Sequence, residues 1–403
     1  MKEIRIGKHT ISRNLMLFLI ANALLGVTMA VESTSFTNRL VEDLGFTTLQ
    51  RAALEFPREL PGLLVVFVVG ALSFLGDIRT SAIGNIFGGI GLFAFGLVPS
   101  GFWPVVVTMM IFSMGQHIFL PLQGAIGMTF AGEGNFGRRL GEIQSVNTIA
   151  FIFATGALFL LYRFLEIPFV VSFTAGAIAM VLAGVVLLFM DPGQPRPKTQ
   201  RFVYRKKFIL FYALSIFFGA RRQITFTFVT WLIVTVYNQP VTTVTMLFFI
   251  MSFISIFFRP LLGMFVDRMG ERFVLVFEGV LLIAASFGFA FAGTLFSPSV
   301  ALVIVSVCFI VDNLFNIGAG MARTTYVRKL ASDPGEISGT LSFSISLDHI
   351  ITMTMPFFAA LVWEMNVDTG YIYVFIGAAV ISVICVILAN RIRVPEKATV
   401  FTQ

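Results

Sequence analysis

The sequence predicts an all-α membrane protein whose twelve transmembrane helices form two pseudo-symmetric six-helix bundles. Three observations carry this prediction: the composition, the number of long apolar stretches and a weak internal repeat. Of the 403 residues, 57% are hydrophobic and only 12% are charged, whereas a soluble domain carries about 25% charged residues. A soluble protein of this size could not bury so much apolar surface. The composition therefore excludes a cytosolic enzyme, a disordered scaffold and a nucleic-acid-binding protein.

Twelve apolar stretches reach the length of about 20 residues that a helix needs to cross a bilayer. Turn-forming residues such as Asp191-Pro192-Gly193 separate them. The longest inner loop, residues 191–207, is basic and Pro-rich, so we predict an N-terminal bundle (1–190), this linker and a C-terminal bundle (208–403). The predicted spans are 14–38, 48–76, 78–98, 102–125, 141–165, 168–190, 208–235, 241–265, 272–293, 298–325, 336–363 and 369–390.

The distribution of Lys and Arg predicts the orientation in the membrane. Cationic residues concentrate in the N-terminal segment and in the segments that follow even-numbered spans. The remaining loops carry only Arg39, Arg51 and Arg163. Both termini are therefore expected in the cytoplasm of a cell that holds this multi-pass protein in its inner or plasma membrane. The net charge of +7 is explained by this asymmetry and does not indicate nucleic acid.

The two halves share a short repeat. Leu140-Gly141-Glu142-Ile143, at the start of span 5, recurs as Pro334-Gly335-Glu336-Ile337 at the start of span 11, and we match Asp77 after span 2 with Asp267 after span 8. Parallel halves of six spans are typical of transporters, which place the solute site near the bilayer midplane between the halves.

The loop between spans 8 and 9 carries a recognisable motif. It places Gly263, Asp267, Arg268, Gly270 and Arg272 in the order Gly, three residues, Asp-Arg, one residue, Gly, one residue, basic. This segment resembles the cytoplasmic loop motif of the major facilitator superfamily (MFS). In that motif the first Gly is expected to allow close helix approach and the second a turn with positive φ. The Asp is expected at a neighbouring helix N-terminus.

The resemblance implies the MFS fold and transport by alternating access. It also implies a contact between Asp267 and the start of span 11 that closes the inner side. The first-half copy keeps Asp77 but has Ser73 and Thr80 where the motif has Gly.

Span 2 adds three charged residues at i, i+3 and i+4, which share one helix face and can neutralise each other as an ion-pair network or an outer gate. The gating candidates are Asp267, Arg268, Gly263, Gly270, Asp77, Arg58, Glu55 and Glu59.

Charged residues inside the spans are unevenly distributed. Spans 3, 6 and 12 have none, and span 9 has only Glu278, near its inner end. The resemblance implies that spans 3, 6, 9 and 12 are outer supports, while the others line the solute pathway. A charge at the midplane costs about 2.5–3.5 kcal/mol, so such residues usually face protein or water. The substrate-binding candidates are Arg221, Arg222, Gln223, Gln116, Asn313 and Glu32.

Arg221 and Arg222 are adjacent, so they point about 100° apart on a helix, and at most one is expected to face the solute pathway squarely. The other is free to pair with Asp312 or Asp348. Histidine titrates near neutral pH, and burial favours the protonated form of a carboxylate. The proton-coupling candidates are His117, Asp312, Asp348 and His349. Either histidine can instead be a satisfied hydrogen-bond partner.

We therefore predict a secondary active transporter that works as a monomer and uses protons to move a small polar organic solute, with an anionic or zwitterionic solute favoured by the two arginines. Proton-driven efflux of amphipathic drugs is the alternative, although span 5 lacks the Gly-Pro-rich motif usual in such relatives. A membrane enzyme or a transporter-like receptor is a third hypothesis. The two cysteines, Cys308 and Cys385, lie in apolar runs. Neither a disulfide framework nor a metal or other cofactor is expected.

Overall fold

The computed structural model describes residues 3–6, 9–131, 136–192, 204–332, 334–366 and 368–393. Within these ranges two short antiparallel strands precede a chain that is otherwise helices, turns and short connections. In chain order the elements are β1 (Glu3–Ile6), β2 (His9–Ser12), α1 (Arg13–Asn38), α2 (Thr48–Ala53), α3 (Glu55–Ala71), α4 (Asp77–Leu97), α5 (Phe102–Thr129), α6 (Phe136–Phe164), α7 (Phe169–Leu188), α8 (Ile209–Thr235), α9 (Val241–Leu295), α10 (Pro298–Leu330), α11 (Pro334–Glu364) and α12 (Gly370–Asn390).

These helices account for the twelve predicted spans. Within the described ranges, nine helices are long and apolar enough to cross a membrane. One of them, the 55-residue α9, contains two spans because Gly270 has a non-helical backbone (φ 78°, ψ 161°). The other two spans are α3, which has only 17 residues, and α8, where Arg221, Arg222 and Gln223 lower the hydropathy. The predicted all-α membrane fold is confirmed, with the strand pair β1–β2 as an addition.

The chain forms two compact units. Unit 1 comprises Met1–Phe46, Pro57–Lys198 and Pro240–Ser252, and unit 2 comprises Thr47–Phe56, Thr199–Gln239 and Phe253–Gln403. Residues 193–203, which include most of the predicted linker 191–207, lie outside the described residues.

Small residues bring the helices of unit 1 together. In this unit α4 packs against α5 and α7, and α1 packs against α6 and α7. At the α4–α5 crossing, Gly88 lies against Gly115, and a Cβ added to Gly88 would lie 3.0 Å from Cα of Gly115. Such close approach is how helices associate in lipid, where burial of apolar side chains provides little driving force.

Helix α8 is the centre of unit 2. It packs against α10, α11 and α12, and the short helix α2 packs against α11. Large apolar side chains, among them Phe208, Phe211 and Phe218 of this region, form a buried core with Leu275 and Leu282 of α9. The polar segment Arg221-Arg222-Gln223 lies at the middle of α8, so the fold places three polar side chains deep inside the spanning region.

Candidate functional site

Arg221 of α8 is fully buried and forms an ion pair with Asp312 of α10. Its guanidinium donates to Oδ1 of Asp312 and also to Oδ1 of Asn316. The other carboxylate oxygen of Asp312 accepts from Thr225 Oγ1 at 3.1 Å and from Asn316 Nδ2 at 2.8 Å. Asn316 stands one turn after Asp312, so one face of α10 presents both groups to Arg221. Both charges are thus neutralised and hydrogen-bonded inside unit 2.

Arg222 has a different environment from its neighbour. Its Nη2 donates to Oδ2 of Asp348 on α11 at 2.6 Å, and the two side chains are 46% and 33% exposed. Arg222 and Asp348 lie near the middle of their helices. Since an exposed ion pair at that depth is costly in hydrocarbon, the pair is expected to face a water-filled space rather than lipid. It offers guanidinium donors and carboxylate acceptors on one accessible surface.

Two further residues complete the surroundings of this pair. Gly219, on α8, lies so close to Asp348 that an added Cβ would overlap the carboxylate. Arg323 of α10 interacts electrostatically with both Arg222 and Asp348. Its Nε donates to the carbonyl of Ala319 at 3.3 Å, one turn earlier. The charged residues of this region thus come from three helices: Arg221 and Arg222 from α8, Asp312 and Arg323 from α10, and Asp348 from α11.

Gln223 does not lie on the exposed face with Arg222. Its side chain is buried and donates to Thr227 Oγ1 at 3.2 Å and to Glu55 Oε2 at 3.4 Å. Glu55 is fully buried and is paired with Arg51 of α2. A residue expected in a solute site therefore anchors a segment of span 2 inside unit 2.

The charged triplet of span 2, Glu55, Arg58 and Glu59, has ionic partners on other helices. Glu55 pairs with Arg51, and Arg58 pairs with Glu32 of α1, with Arg58 Nη2 2.6 Å from Glu32 Oε1. Each charge thus reaches a cation or carboxylate outside the triplet.

The Glu32–Arg58 pair is nearly buried in unit 1. The two side chains are 11% and 10% exposed. The guanidinium of Arg58 also lies over the ring of Phe36, 5.6 Å from its centroid. Glu32 therefore has a cation partner already, although the sequence suggested it as a solute ligand.

His117 and Glu59 form a second polar pair in unit 1. Nε2 of His117 lies 3.8 Å from Oε2 of Glu59, while Nδ1 lies 2.9 Å from the carbonyl of Ser113 and 3.0 Å from Ser113 Oγ. The Ser113 hydroxyl donates to the carbonyl of Arg58. Both groups near Nδ1 therefore act as acceptors, so the neutral ring carries its hydrogen on Nδ1. Nε2 faces the Glu59 carboxylate.

The remaining solute-binding and proton-coupling candidates are Asn313, Gln116 and His349. Asn313 donates to the carbonyl of Phe309 at 2.9 Å, which is a local contact on α10. Gln116 and His349 are both partly buried. The carbonyl of His349 accepts from Thr352 Oγ1 at 3.0 Å.

The loops of the two halves align differently by backbone conformation than by residue type. Gly270 has φ 78° and ψ 161°, and Gly76 has φ 78° and ψ 162°, whereas Thr80 is helical. The spacing of 194 residues between these glycines equals that between Gly141 and Gly335. Gly76 is therefore the counterpart of Gly270, and our match of Asp77 with Asp267 is wrong. Asp77 instead corresponds to Glu271.

The gating candidates of the second-half loop do not make the contacts that the motif predicts within the described residues. Asp267 and Arg268 are exposed, and among the described residues no atom lies within 4 Å of a Cβ added to Gly263. The close helix approach expected at Gly263 is therefore not seen. Glu271, next to Gly270, is buried and lies 2.5 Å from Nζ of Lys329 on α10.

Glu336, at the start of α11, also has partners other than Asp267. Its carboxylate forms ion pairs with Arg205 and Lys207 and accepts from the backbone N–H of Ser332 at 2.7 Å. The hydrogen bond from Lys207 and that from Ser332 lower the pKa of Glu336, with the nearby cations as a further cause. The structure thus connects the chain before α8 to the start of α11.

Several residues of the candidate site were not identified from the sequence. Ser113 could have been found, because it stands one turn before His117. Arg51 and Arg323 lie near the ends of predicted spans and Glu271 lies just outside one, and these positions do not indicate their partners. In the structure Arg51 pairs with Glu55, Arg323 interacts electrostatically with Asp348, and Glu271 pairs with Lys329. No sequence signal identifies Gly219, whose importance depends on which helix crosses α8 at that level.

Comparison with known proteins agrees with this architecture. Residues 16–347 match the family model of the Major Facilitator Superfamily. No curated protein matches the chain in sequence. Among solved structures, the nucleoside transporter NupG has a TM-score of 0.76 and 18% identity, covering 95% of this chain and 100% of that one. A POT family transporter bound to a thioalcohol-conjugated peptide has a TM-score of 0.74 and 11% identity, covering 96% and 97%.

A third similar fold is the D-xylose–proton symporter, with a TM-score of 0.67 and 13% identity over 95% of this chain and 97% of that chain. At these identities the likeness establishes the fold alone. The match to this transporter family over residues 16–347 indicates a polytopic transporter rather than an enzyme. The chain belongs to the major facilitator superfamily.

Proposed function

We propose that this protein is a proton-coupled secondary transporter of a small polar organic solute that is uncharged or zwitterionic. The observation that carries the proposal is the partly exposed Arg222–Asp348 pair at the middle of α8 and α11. A structural ion pair in a membrane protein gains from being buried and satisfied, as the Arg221–Asp312 pair is. An exposed pair at that depth is costly in hydrocarbon, and charged residues retained there usually mark a solute or ion pathway. The donors and acceptors of this pair suit a polar ligand.

The charge balance favours a solute without net negative charge. Arg221, Arg222 and Arg58 each have a carboxylate partner. An anion would have to displace Asp348 to reach Arg222, whereas a hydroxyl, amide or zwitterion can bind donor and acceptor together. The sequence favoured an anionic or zwitterionic solute from the arginines alone. The solutes named for the similar folds, namely a nucleoside, a peptide and D-xylose, are polar organic molecules.

Proton coupling is supported by the geometry of His117. Its Nδ1 is committed to acceptors of Ser113, and Nε2 lies 3.8 Å from the Glu59 carboxylate. Protonation of Nε2 creates an imidazolium beside Glu59, and loss of the proton leaves a lone pair facing a carboxylate. Since these states differ strongly in electrostatic energy, the proton can bias the conformation of unit 1. We further propose a monomer with both termini in the cytoplasm.

The experiment is a thermal-shift screen of purified protein followed by uptake into proteoliposomes. The panel contains uridine, D-xylose, a neutral dipeptide, an organic dicarboxylic acid and a cationic dye. We expect stabilisation and uptake for an uncharged or zwitterionic member, with uptake abolished by Arg222→Gln and by Asp348→Asn. Arg328→Gln, which removes an exposed arginine at the end of α10, is the matched control and should retain uptake.

Two results would overturn the proposal. Uptake that Arg222→Gln and Asp348→Asn leave intact would remove the solute site from this pair. Stabilisation by the dye alone would favour drug efflux instead. The proton claim is tested separately with a pH gradient and a proton ionophore: uptake should collapse with the ionophore in the wild type. His117→Gln should abolish the response to the gradient while solute exchange continues.

A further inference from the structure

Glu278 is a buried carboxylate that the proposed transport site does not use. It lies on the second limb of α9 and is 0% exposed. Neither of its carboxylate oxygens has a hydrogen-bond partner within the described part of the chain. Every other carboxylate named above that is buried in unit 2, such as Asp312 and Glu55, has at least one ion pair.

The carboxylate of Glu278 lies against a glycine. A Cβ added to Gly318 of α10 would overlap Oε1 of Glu278, and it would lie 3.3 Å from Cδ2 of Leu262. Gly320, two residues further along the same helix, is different, because no described atom lies within 4 Å of a Cβ added there. The absence of a side chain at Gly318 therefore leaves the space that the carboxylate occupies.

The charged groups around Glu278 come from two neighbouring helices. Arg323 of α10 and Arg221 of α8 both interact with it electrostatically. Arg221 is already paired with Asp312. Arg323 instead donates to a backbone carbonyl and lies over the ring of Phe218, 5.2 Å from its centroid. From α11 and α12, the groups that interact with Arg323 are Asp348 and the thiol of Cys385.

An ionised carboxylate in this place would be expected to draw Arg323 into an ion pair. An isolated buried carboxylate costs far more than a neutral acid, and a protein normally resolves this by protonation. Arg323 makes no ion pair within the described chain, and Glu278 has no donor there. The arrangement therefore matches a carboxylic acid that holds its proton, with the guanidinium of Arg323 nearby and without an ion pair among the described residues.

We propose that Glu278 is a proton-binding site that exchanges its proton for an ion pair with Arg323. In the conformation seen here the site holds a proton as the neutral acid. When the O–H bond breaks and the proton passes to water, the carboxylate takes Arg323 as its partner and weakens the interaction of Arg323 with Asp348. This inference rests on the proposed function only for its consequence, which is to connect protonation of α9 to the Arg222–Asp348 pair.

The test is infrared spectroscopy of the full-length protein in lipid bilayers, in H2O and D2O, from acidic to alkaline pH. The wild type should have a C=O stretching band of an unionised carboxylic acid at neutral pH that is missing in Glu278→Gln. A difference spectrum that contains only carboxylate bands would overturn the proposal. Glu278→Gln should fold normally, because the amide resembles the neutral acid; a variant that fails to fold would likewise count against a neutral Glu278.

Three further variants sharpen the test. Gly318→Ala should shift or abolish the acid band, whereas Gly320→Ala should leave it unchanged; an unchanged band in both would reject the assigned position. In Arg323→Gln the acid band should persist to higher pH than in the wild type, because the carboxylate loses its partner. An unchanged transition would reject the exchange step. These measurements need no solute, so failure of the transport proposal would leave the proton-site result standing, and the reverse also holds.

Discussion

Gly219 of α8 lies against the carboxylate of Asp348 on α11, with no space for a side chain between them. The contact places Asp348 where Arg222, three residues further along α8, donates to it at 2.6 Å. A glycine on one helix thus sets the position of an acid on another. The solute site that we propose depends on this spacing, because a displaced Asp348 would leave Arg222 without its partner.

Gly219→Ala is therefore expected to impair function more than its size suggests. The added methyl group would overlap Oδ1 of Asp348, so the carboxylate would have to move from its position beside Arg222. We expect a lower Tm and loss of uptake in proteoliposomes. Gly377→Ala on α12, where no described atom lies within 4 Å of the new Cβ, is the matched control. Equal effects of the two substitutions would contradict the role of Gly219.

The Arg221–Asp312 pair is expected to be structural. Because both side chains are buried, Asp312→Leu alone should destabilise the protein by about 3–5 kcal/mol, since it leaves Arg221 uncompensated. The double variant Arg221→Met with Asp312→Leu removes both charges and should recover most of that loss. A double-mutant cycle of thermal or chemical unfolding in detergent measures the difference. A double variant no more stable than the single one would argue against a simple compensating pair.

The number and type of the spans could be predicted, because length and apolarity decide whether a helix crosses a bilayer. The sequence also indicated that Arg221 and Arg222 would differ, because neighbours on a helix point in different directions. It could not indicate which acid each one takes. That choice depends on how α10 and α11 pack against α8, and hence on residues such as Gly219 that carry no charge.

The register of the first-half motif shows a second limit of sequence reasoning. Aligning Asp77 with Asp267 matched one letter and assigned two glycine positions to Ser73 and Thr80. Backbone conformation instead pairs Gly76 with Gly270. A single acid is a weak anchor for alignment, whereas a positive φ is a steric requirement. Glu278 illustrates a related limit, because the lack of a hydrogen-bond partner for its carboxylate among the described residues cannot be deduced from a sequence pattern.

The cluster at Glu336 predicts a dependence of stability on pH. Hydrogen bonds from Lys207 and Ser332 lower its pKa from the usual value of 4.5. The carboxylate is therefore bound more weakly by protons in the folded state. Its contribution to stability is fully present above pH 4.5 and is lost as the pH falls through the lowered pKa of the folded state.

Glu336→Gln should consequently lower Tm at neutral pH and have little effect at a pH below the folded-state pKa. Thermal unfolding of both proteins over acidic and neutral pH measures this convergence. Glu142→Gln, which removes a more exposed carboxylate paired with Arg138 and Arg139 at the equivalent place in the first half, is the control and should cost less. A deficit in Glu336→Gln that persists at low pH would contradict the ionic contribution.

The two loop glycines, Gly76 and Gly270, are expected to be required for the same backbone conformation. Their conformation, with φ 78° and ψ near 160°, belongs to a region that is essentially restricted to glycine, and other residues pay about 1–3 kcal/mol there. Gly76→Ala and Gly270→Ala should each lower Tm. Gly76→Ala should cost somewhat more, because its Cβ would also lie 3.3 Å from the carbonyl of Pro192. Gly263→Ala, in a helical conformation with open space around it, should be neutral. If Gly263→Ala were the most damaging of the three, the close helix approach expected from the motif, rather than the turn, would be the physical requirement at this loop.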